Sequence, residues 1–257
     1  MEKVILVTVD GMRPDGALGC GNDYVKKLMH LGGYSLTTQT VMPSITLPTH
    51  MSMFHSVVPQ RHGIITNDFT SQVHSIKGIF ETVKGAGKTT AMFFGWHNLR
   101  DLCRPGNIDH SVFLEAHVGG CSDLAIVQEA KRTISTYKPD FAFVYLEGTD
   151  MGGHDFGWMS KEYLDRINNA FKGIEELIKT FGEEYHFIIT ADHGGHERMH
   201  GTTDKEDMTI PQFYFGKKFT AGKEYTGISI LDVAPTISDI LGIGVQPEWE
   251  GTSILKK

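Results

Sequence analysis

Residues 4–11 read VILVTVDG, and this stretch decides the fold. Its apolar and β-branched residues are typical of a strand buried on both faces, as in parallel sheets. The run is short and no small-residue cleavage site follows it, so we expect a strand rather than a signal peptide. It ends in Asp10 and Gly11, which places a carboxylate at the carboxyl end of the strand. In an open parallel sheet, those ends converge on the ligand crevice.

Similar short apolar runs alternate with helical patterns along the chain, which indicates βαβ units. The predicted strands are Lys3–Val9, Thr90–Phe94, Phe141–Leu146, His186–Thr190 and Ile210–Phe215. The predicted helices are Tyr24–Leu31, His74–Val83, Ser122–Tyr137, Lys161–Phe181 and Leu231–Leu241, the last of which would end at Gly242. We therefore predict an α/β fold with a mostly parallel central sheet flanked by helices on both faces. We expect a single domain over residues 1–257 without a large cap insertion.

Composition narrows the class of protein. The chain has 257 residues, 40% of them hydrophobic and 21% charged, as in ordinary globular proteins. A net charge of -7 argues against a nucleic-acid duplex as partner. No apolar run approaches the ~18 residues that span a bilayer, so we expect no membrane partner. Cys20, Cys103 and Cys121 are too scattered for a disulfide framework, which favours a reducing, cytoplasmic location. The sequence leaves the oligomeric state open.

Carboxylates and imidazoles follow two further predicted strands. Asp150 comes shortly after one strand and is followed four residues later by His154. Asp192 and His193 come directly after another. Aspartate and histidine suit zinc, and carboxylate-rich sets also suit manganese. Two such cations roughly 4 Å apart can stabilise both the attacking and the leaving oxygen of an in-line displacement.

Thr46 is the candidate nucleophile. It lies in the segment PSITLPTH, residues 43–50, which is typical of a turn into a helix with Pro48 in the first turn. Free backbone N–H groups at a helix N-terminus favour anions. A threonine hydroxyl is a poor nucleophile at neutral pH, but coordination to a metal lowers its pKa.

These motifs together resemble the nucleotide pyrophosphatase/phosphodiesterase branch of the alkaline phosphatase superfamily, from Asp10 to His200 and on to a C-terminal segment. The resemblance implies an alkaline-phosphatase-like core with two divalent metal ions, zinc with manganese as the alternative. It implies one metal held by Asp10, Thr46, Asp192 and His193, and a second held by Asp150, His154 and His200. The substrate would be a small phosphate ester, cleaved at a phosphodiester or pyrophosphate bond through a phosphothreonine on Thr46.

The same resemblance assigns an oxyanion site. Asn67 stands where the family has an asparagine that donates to a phosphoryl oxygen, and we expect the backbone N–H of Leu47 to donate there too. His196 competes with His200 as a ligand; His200 is favoured because the family ligand is followed by glycine, here Gly201. His196 would then be a neighbour, a residue that orients a ligand, or a substrate contact.

The sequence departs from the family at two positions. Leu47 replaces an aromatic residue that packs on a nucleobase, and Thr49 replaces an asparagine. Nucleotide specificity is therefore left open, whereas phosphoryl transfer is not.

Alternative functions remain at this point. A phosphomonoesterase would need a cation for the extra phosphate oxygen, and the candidates are Arg61, Arg100, Arg104 and Arg198. Phosphonate hydrolysis stays open. A sulfatase fits poorly, because its modified cysteine or serine and its arginine are here Thr46 and His50. A metal-binding module without turnover is the non-enzymatic alternative.

Overall fold

A single sheet organises the computed structural model, which describes residues 2–72, 75–115 and 123–257. Seven strands are found in these residues, in the spatial order β2-β7-β6-β1-β5-β3-β4. They are β1 (Val4–Val9), β2 (Gly33–Gln39), β3 (Thr90–Phe94), β4 (His110–Phe113), β5 (Phe141–Leu146), β6 (His186–Thr190) and β7 (Thr209–Phe215). The pairs among β6, β1, β5, β3 and β4 are parallel, whereas β7 runs antiparallel to both β6 and β2. The predicted mostly parallel sheet is confirmed.

The first strand lies at the centre and sets the register for the site. Val9 pairs with Leu146 of β5, and Thr8 pairs with Thr190 of β6. All six residues of β1 are buried, which explains the unbroken apolar run in the sequence. Because the three strands end at the same level, the residues after them meet at one edge of the sheet.

Helices cover both faces of the sheet. They are α1 (Pro14–Gly19), α2 (Asp23–Leu31), α3 (Thr46–His55), α4 (Pro59–His62), α5 (Ile79–Gly85), α6 (Asp123–Tyr137), α7 (Gly148–Phe156), α8 (Lys161–Phe181), α9 (Lys205–Met208) and α10 (Val233–Leu241). One group packs around α8 and includes α1, α2, α6 and α7. Another packs around α10 and includes α3 and α5, and both groups contact β1. None of the helices in the described residues is both long and apolar enough to cross a membrane.

Most predicted elements are confirmed, and the differences have local causes. The long helix has the predicted bounds, and the Ser160 hydroxyl caps it by accepting from the Tyr163 N–H. The predicted helix Leu231–Leu241 begins with a 3-10 turn and ends at Gly242, whose φ of 67° is left-handed. The helix predicted from His74 begins only at Ile79. His74, Ser122 and Cys121 lie outside the described residues.

Two edge strands and one site helix are absent from the prediction. The strands β2 and β4 lie at the two edges of the sheet, and β2 has the largely polar sequence GYSLTTQ. The glycines of α7 suggest a tight backbone, which fits a site as well as a plain turn, and the segment is helical. A Cβ on Gly153 would lie 2.6 Å from the ring of Trp158, so this glycine allows close packing rather than a turn.

The helix that begins at Thr46 is fixed at its far end by the C-terminal part of the chain. Ser56 ends α3 with a left-handed φ of 51°. Its hydroxyl donates to the Leu231 carbonyl at 2.7 Å and accepts from the Gly251 N–H at 3.0 Å. The Glu250 N–H donates to the Ser56 carbonyl at 2.7 Å.

Candidate active site

The first group of candidate ligands gathers between β1 and β6. Asp10 follows β1 directly, and Asp192 and His193 follow β6 after one residue. The three side chains are buried. His193 Nε2 lies 3.3 Å from Asp10 Oδ1 and 3.3 Å from Asp192 Oδ2. One ligand atom from each residue lies within 4.8 Å of the others, so the three could share one ion.

A second group of candidate ligands lies beside the first. Asp150 and His154 are on the same face of α7, four residues apart, with His154 Nε2 3.4 Å from Asp150 Oδ2. His200 comes from the loop after β6, and its Nε2 lies 3.7 Å from Asp150 Oδ1. These three residues also offer ligand atoms within 4.8 Å of one another. The structure thus brings together both sets of residues that the sequence singled out.

Thr46 lies against the first group, at the first residue of α3. Its hydroxyl oxygen is 3.2 Å from His193 Nε2. Thr46 lines a cavity of about 350 Å³ together with Asp10, Asp150 and His200. A hydroxyl in this position faces both groups of candidate ligands across one small cavity.

The three histidines share one hydrogen-bonding arrangement. Nδ1 of His193 lies 2.8 Å from the Gly194 carbonyl, Nδ1 of His154 lies 2.9 Å from the Arg198 carbonyl, and Nδ1 of His200 lies 2.9 Å from the Ser44 carbonyl. Because a carbonyl only accepts, each Nδ1 must donate a hydrogen. Each Nε2 then presents its lone pair to the carboxylates, as in histidines that bind metals.

The electrostatics of the first group fit a cation. Asp10 Oδ1 is buried and has no hydrogen-bond partner among the residues that the structure describes. Burial raises the pKa of Asp10 well above its ordinary value, and the charges of Asp192 and Asp150 raise it further. A buried carboxylate that faces an imidazole lone pair is stabilised by a proton or a cation between them. The oxygen and nitrogen donors of this group suit a divalent metal.

The pKa values of Asp192 and His200 are shifted downward. Burial acts to raise the pKa of Asp192, but His193, His50 and the Gly11 N–H outweigh it and leave that pKa lowered. Burial, together with the neighbouring His193, lowers the pKa of His200 to about 3. The His200 imidazole is therefore neutral at physiological pH, which leaves its Nε2 available as a ligand.

Asn67 is oriented by the backbone of α3. Its Oδ1 accepts from the Leu47 N–H at 3.0 Å, and its own carbonyl accepts from Asn98 Nδ2 at 2.8 Å. Since only the amide oxygen can accept, Nδ2 is the group left to donate into the cavity that Asn67 lines. In this structure the Leu47 N–H donates to Asn67 Oδ1, and the expected donation from Leu47 to a phosphoryl oxygen stays a prediction.

Sequence reasoning missed several residues around the site. The Tyr145 hydroxyl donates to Asp10 Oδ2. His50 has Nδ1 2.8 Å from the Thr46 carbonyl and Nε2 3.2 Å from the Thr8 hydroxyl, so it helps to fix the first turn of α3. Burial, then the charge of Asp150, raises the pKa of Glu147 to about 8. A tyrosine inside an apolar strand gives no sign in the sequence that it faces a carboxylate.

The side chains of the other candidates offer no ligand atom to the two groups. His196 Nδ1 is 2.7 Å from Asp207 Oδ1, which raises the pKa of His196. Arg61 binds Glu250 at 3.0 Å, and Arg104 binds the Ile76 carbonyl at 3.0 Å. None of the four candidate arginines is among the described residues that line the cavity.

Comparisons with known proteins define the class and then the family. The inactive form of murine ectonucleotide pyrophosphatase/phosphodiesterase 5, a threonine-to-alanine variant in complex with AMP, is similar in fold, with a TM-score of 0.82 at 15% identity over 96% of each chain. The two chains share an alkaline-phosphatase-like fold. The family model for type I phosphodiesterase / nucleotide pyrophosphatase matches residues 4–204. The chain belongs to this family.

Two proteins of related sequence match this chain over only part of their own length. A 2,3-bisphosphoglycerate-independent phosphoglycerate mutase of Hydrogenovibrio crunogenus is 34% identical over 120 residues, 44% of this chain and 22% of the mutase. Human ectonucleotide pyrophosphatase/phosphodiesterase family member 1 is 25% identical over 224 residues, 74% of this chain and 23% of that protein. The chain thus spans under a quarter of the length of these two relatives.

Proposed function

We propose that this protein is a metal-dependent hydrolase that cleaves a phosphodiester or pyrophosphate bond through a covalent intermediate on Thr46. The observation that supports this most strongly is the position of the Thr46 hydroxyl, 3.2 Å from His193 Nε2 and in one cavity with Asp10, Asp150 and His200. Family membership supports the same chemistry, and a threonine-to-alanine variant of the murine relative is described as inactive.

Two divalent cations would occupy the two groups of ligands, one at Asp10, Asp192, His193 and Thr46 and one at Asp150, His154 and His200. Zinc is our proposal for both, since imidazole and carboxylate donors suit it, and manganese is the alternative. When bound, the cations would lower the pKa of the Thr46 hydroxyl and neutralise charge on the leaving oxygen.

Several residues of the chain have separate roles in the proposed reaction. The Thr46 hydroxyl gives up its proton to solvent and its oxygen attacks phosphorus; an O–P bond forms, the bond to the leaving alcohol or phosphate breaks, and the leaving oxygen takes up a proton from solvent as required. Asn67 Nδ2 donates to a phosphoryl oxygen as its charge grows. His50 and Asn67 hold the first turn of α3 in place through the Thr46 carbonyl and the Leu47 N–H. Water then cleaves the phosphothreonine and restores the hydroxyl.

The cavity favours a diester over a monoester. A dianionic monoester needs an additional cation, and the described residues that line the cavity include no arginine or lysine. A phosphonate monoester carries a single negative charge and, like a diester, needs no additional cation. Phosphonate hydrolysis is therefore the second candidate function. A cytoplasmic location remains our prediction.

The test uses zinc-loaded protein and bis-p-nitrophenyl phosphate, with release of p-nitrophenol as readout. Thr46→Ala should lose about 10³-fold or more in kcat, because the nucleophile is gone, while metal analysis should find the aspartate and histidine ligands still occupied. A metal-binding module would instead bind zinc and turn over no ester. Hydrolysis of an aryl sulfate but of no phosphodiester, with zinc or with manganese, would refute the proposal.

A further inference from the structure

A tight turn at residues 196–199 is attached to both histidines of the second group of candidate ligands. His196 and Met199 exchange two backbone hydrogen bonds, from the N–H of each to the carbonyl of the other, both at 2.9 Å. The Arg198 carbonyl accepts from His154 Nδ1 at 2.9 Å, and His200 directly follows the turn. The place of this turn therefore sets where His154 and His200 present their Nε2 atoms.

One carboxylate, that of Asp207, binds the chain on both sides of His200. Its Oδ1 lies 2.7 Å from Nδ1 of His196, which precedes His200 in the loop. Its Oδ2 accepts from the N–H and from the hydroxyl of Thr202, both at 2.9 Å, and Thr202 follows His200. The backbone carbonyl of Asp207 also accepts from the Gly194 N–H at 2.9 Å. One residue of the short helix α9 thus fixes the loop that carries the ligand.

The same hydrogen bonds reach the segment that carries the proposed nucleophile. The Thr202 carbonyl accepts from the Ser44 hydroxyl at 2.9 Å, and the Ser44 carbonyl lies 2.9 Å from His200 Nδ1. Ser44 stands shortly before Thr46 in the chain. Because Asp207 fixes Thr202, it also supports the Ser44 carbonyl that orients the imidazole ring.

Asp207 has the environment of a rigid, ionised acceptor. Its side chain is fully buried. Burial acts to raise the pKa of Asp207, but the bonds from His196 and Thr202 outweigh that effect and leave the pKa lowered. Among the described residues, Asp207 belongs to neither group of candidate metal ligands. Its hydrogen bonds therefore hold the loop and do not serve a metal directly.

We propose that Asp207 is a positioning residue for the second metal, and that it acts by holding the loop that places His154 and His200. This inference rests on the proposed metal-dependent function. It also assigns His196: of the roles that the sequence leaves open, orientation of a ligand is the one that the bond to Asp207 supports. Asp207 lies beyond residue 204, where the family match ends.

The experiment measures zinc affinity on metal-free protein, by competition with a chromophoric chelator. In Asp207→Ala, one of the two zinc ions should bind about tenfold or more weakly than in the wild type, the loss expected when a residue that orients a metal ligand is removed. The other ion should keep its wild-type affinity. The reason is that, among the described residues, the Asp207 side chain bonds to no member of the first group of ligands.

Two further variants assign the weakened ion to the second group. His200→Ala removes a ligand of that group, and Asp207→Ala added to it should leave the affinity for the remaining zinc ion unchanged. Asp207→Asn keeps an oxygen for the Thr202 donors but loses the carboxylate that binds His196. It should weaken the same ion by less than Asp207→Ala does.

The matched control is Asp109→Ala. The Asp109 carboxylate accepts from the Thr90 N–H at 2.8 Å and from the Thr90 hydroxyl at 3.3 Å, and it pairs with Lys84 at 2.6 Å. This arrangement is similar to that of Asp207, but it lies at the amino ends of β3 and β4, away from the site. Asp109→Ala should keep both wild-type zinc affinities. Urea denaturation of every variant separates loss of stability from loss of metal binding.

The outcomes separate this inference from the proposed function. If the wild type binds two zinc ions and hydrolyses bis-p-nitrophenyl phosphate, unchanged zinc affinities in Asp207→Ala overturn the positioning role alone. Equal weakening in Asp109→Ala overturns it as well. If Asp207→Ala does not fold, unchanged affinities in Asp207→Asn have the same meaning. A wild-type protein that binds no zinc overturns the metal-dependent reaction, and the positioning role with it.

Discussion

Replacement of Asn67 by aspartate isolates the contribution of a single donor. Asn67 Oδ1 accepts from the Leu47 N–H at 3.0 Å, and an aspartate oxygen can accept that bond equally well. The change therefore keeps the shape of the side chain and its link to α3. It replaces Nδ2, the donor directed at the cavity, with an oxygen.

The expected loss has two parts. Removal of one donor to a developing oxyanion costs about 10²–10³ in kcat, or ~3–4 kcal/mol. A carboxylate also repels the negatively charged phosphoryl group, by up to roughly 4 kcal/mol for charges ~4 Å apart at an effective dielectric constant of ~20. Bound cations offset part of this repulsion, so we expect kcat/KM to fall by about 10³-fold or more.

The assay is hydrolysis of bis-p-nitrophenyl phosphate by zinc-loaded protein, with circular dichroism and metal content measured on the same samples. Asn67→Ala should lose less than Asn67→Asp, because alanine adds no charge. Asn169→Asp is the matched control: this exposed side chain on α8 accepts from Lys172 at 3.0 Å, and it should retain full activity. Wild-type kcat/KM in Asn67→Asp would refute the role of the amide.

Three further predictions concern binding and stability. Asp10→Asn should weaken zinc binding by at least about tenfold, measured with a zinc indicator; unchanged affinity would remove Asp10 from the proposed ligands. Burial, and then His55, lowers the pKa of His62 from its ordinary 6.5 to about 4. As pH falls from 6.5 to 4, the unfolded state binds a proton before the folded state does, so the free energy of unfolding should fall by up to ~3 kcal/mol over this range, measured by urea denaturation. His62→Gln should make the free energy of unfolding depend less on pH. An equal pH dependence in both proteins would contradict the assignment to His62. Gly153→Ala should destabilise by roughly 1–3 kcal/mol through overlap with Trp158, and an unchanged melting temperature would show that the ring moves aside.

The parts of the fold that the sequence predicts are those whose burial is uniform or periodic. Every residue of Val4–Val9 is buried, so its apolar run is unbroken. The helix Lys161–Phe181 buries one stripe, so its period is visible. The edge strands β2 and β4 bury only part of their residues, and their composition resembles that of loops.

Some features of the site are likewise predicted from the sequence, whereas others are not. The proposed ligands were predicted because they stand at strand ends or in a motif, which are local properties of the sequence. The Leu47 N–H bond to Asn67 and the Tyr145 hydroxyl bond to Asp10 join residues far apart in the chain. Such contacts depend on how the loops pack, and no spacing in the sequence reports them.

The hydrogen bonds around Ser56 bear on where the functional unit ends. The family match stops at residue 204, and all proposed ligands lie before that point. Yet Leu231, Glu250 and Gly251 secure the end of the helix whose first residue is Thr46. A chain shortened to the matched region would keep every proposed ligand, but it would lose these bonds together with β7 and α10. The family model therefore covers every proposed ligand, whereas part of the support for α3 lies in residues that the model does not match.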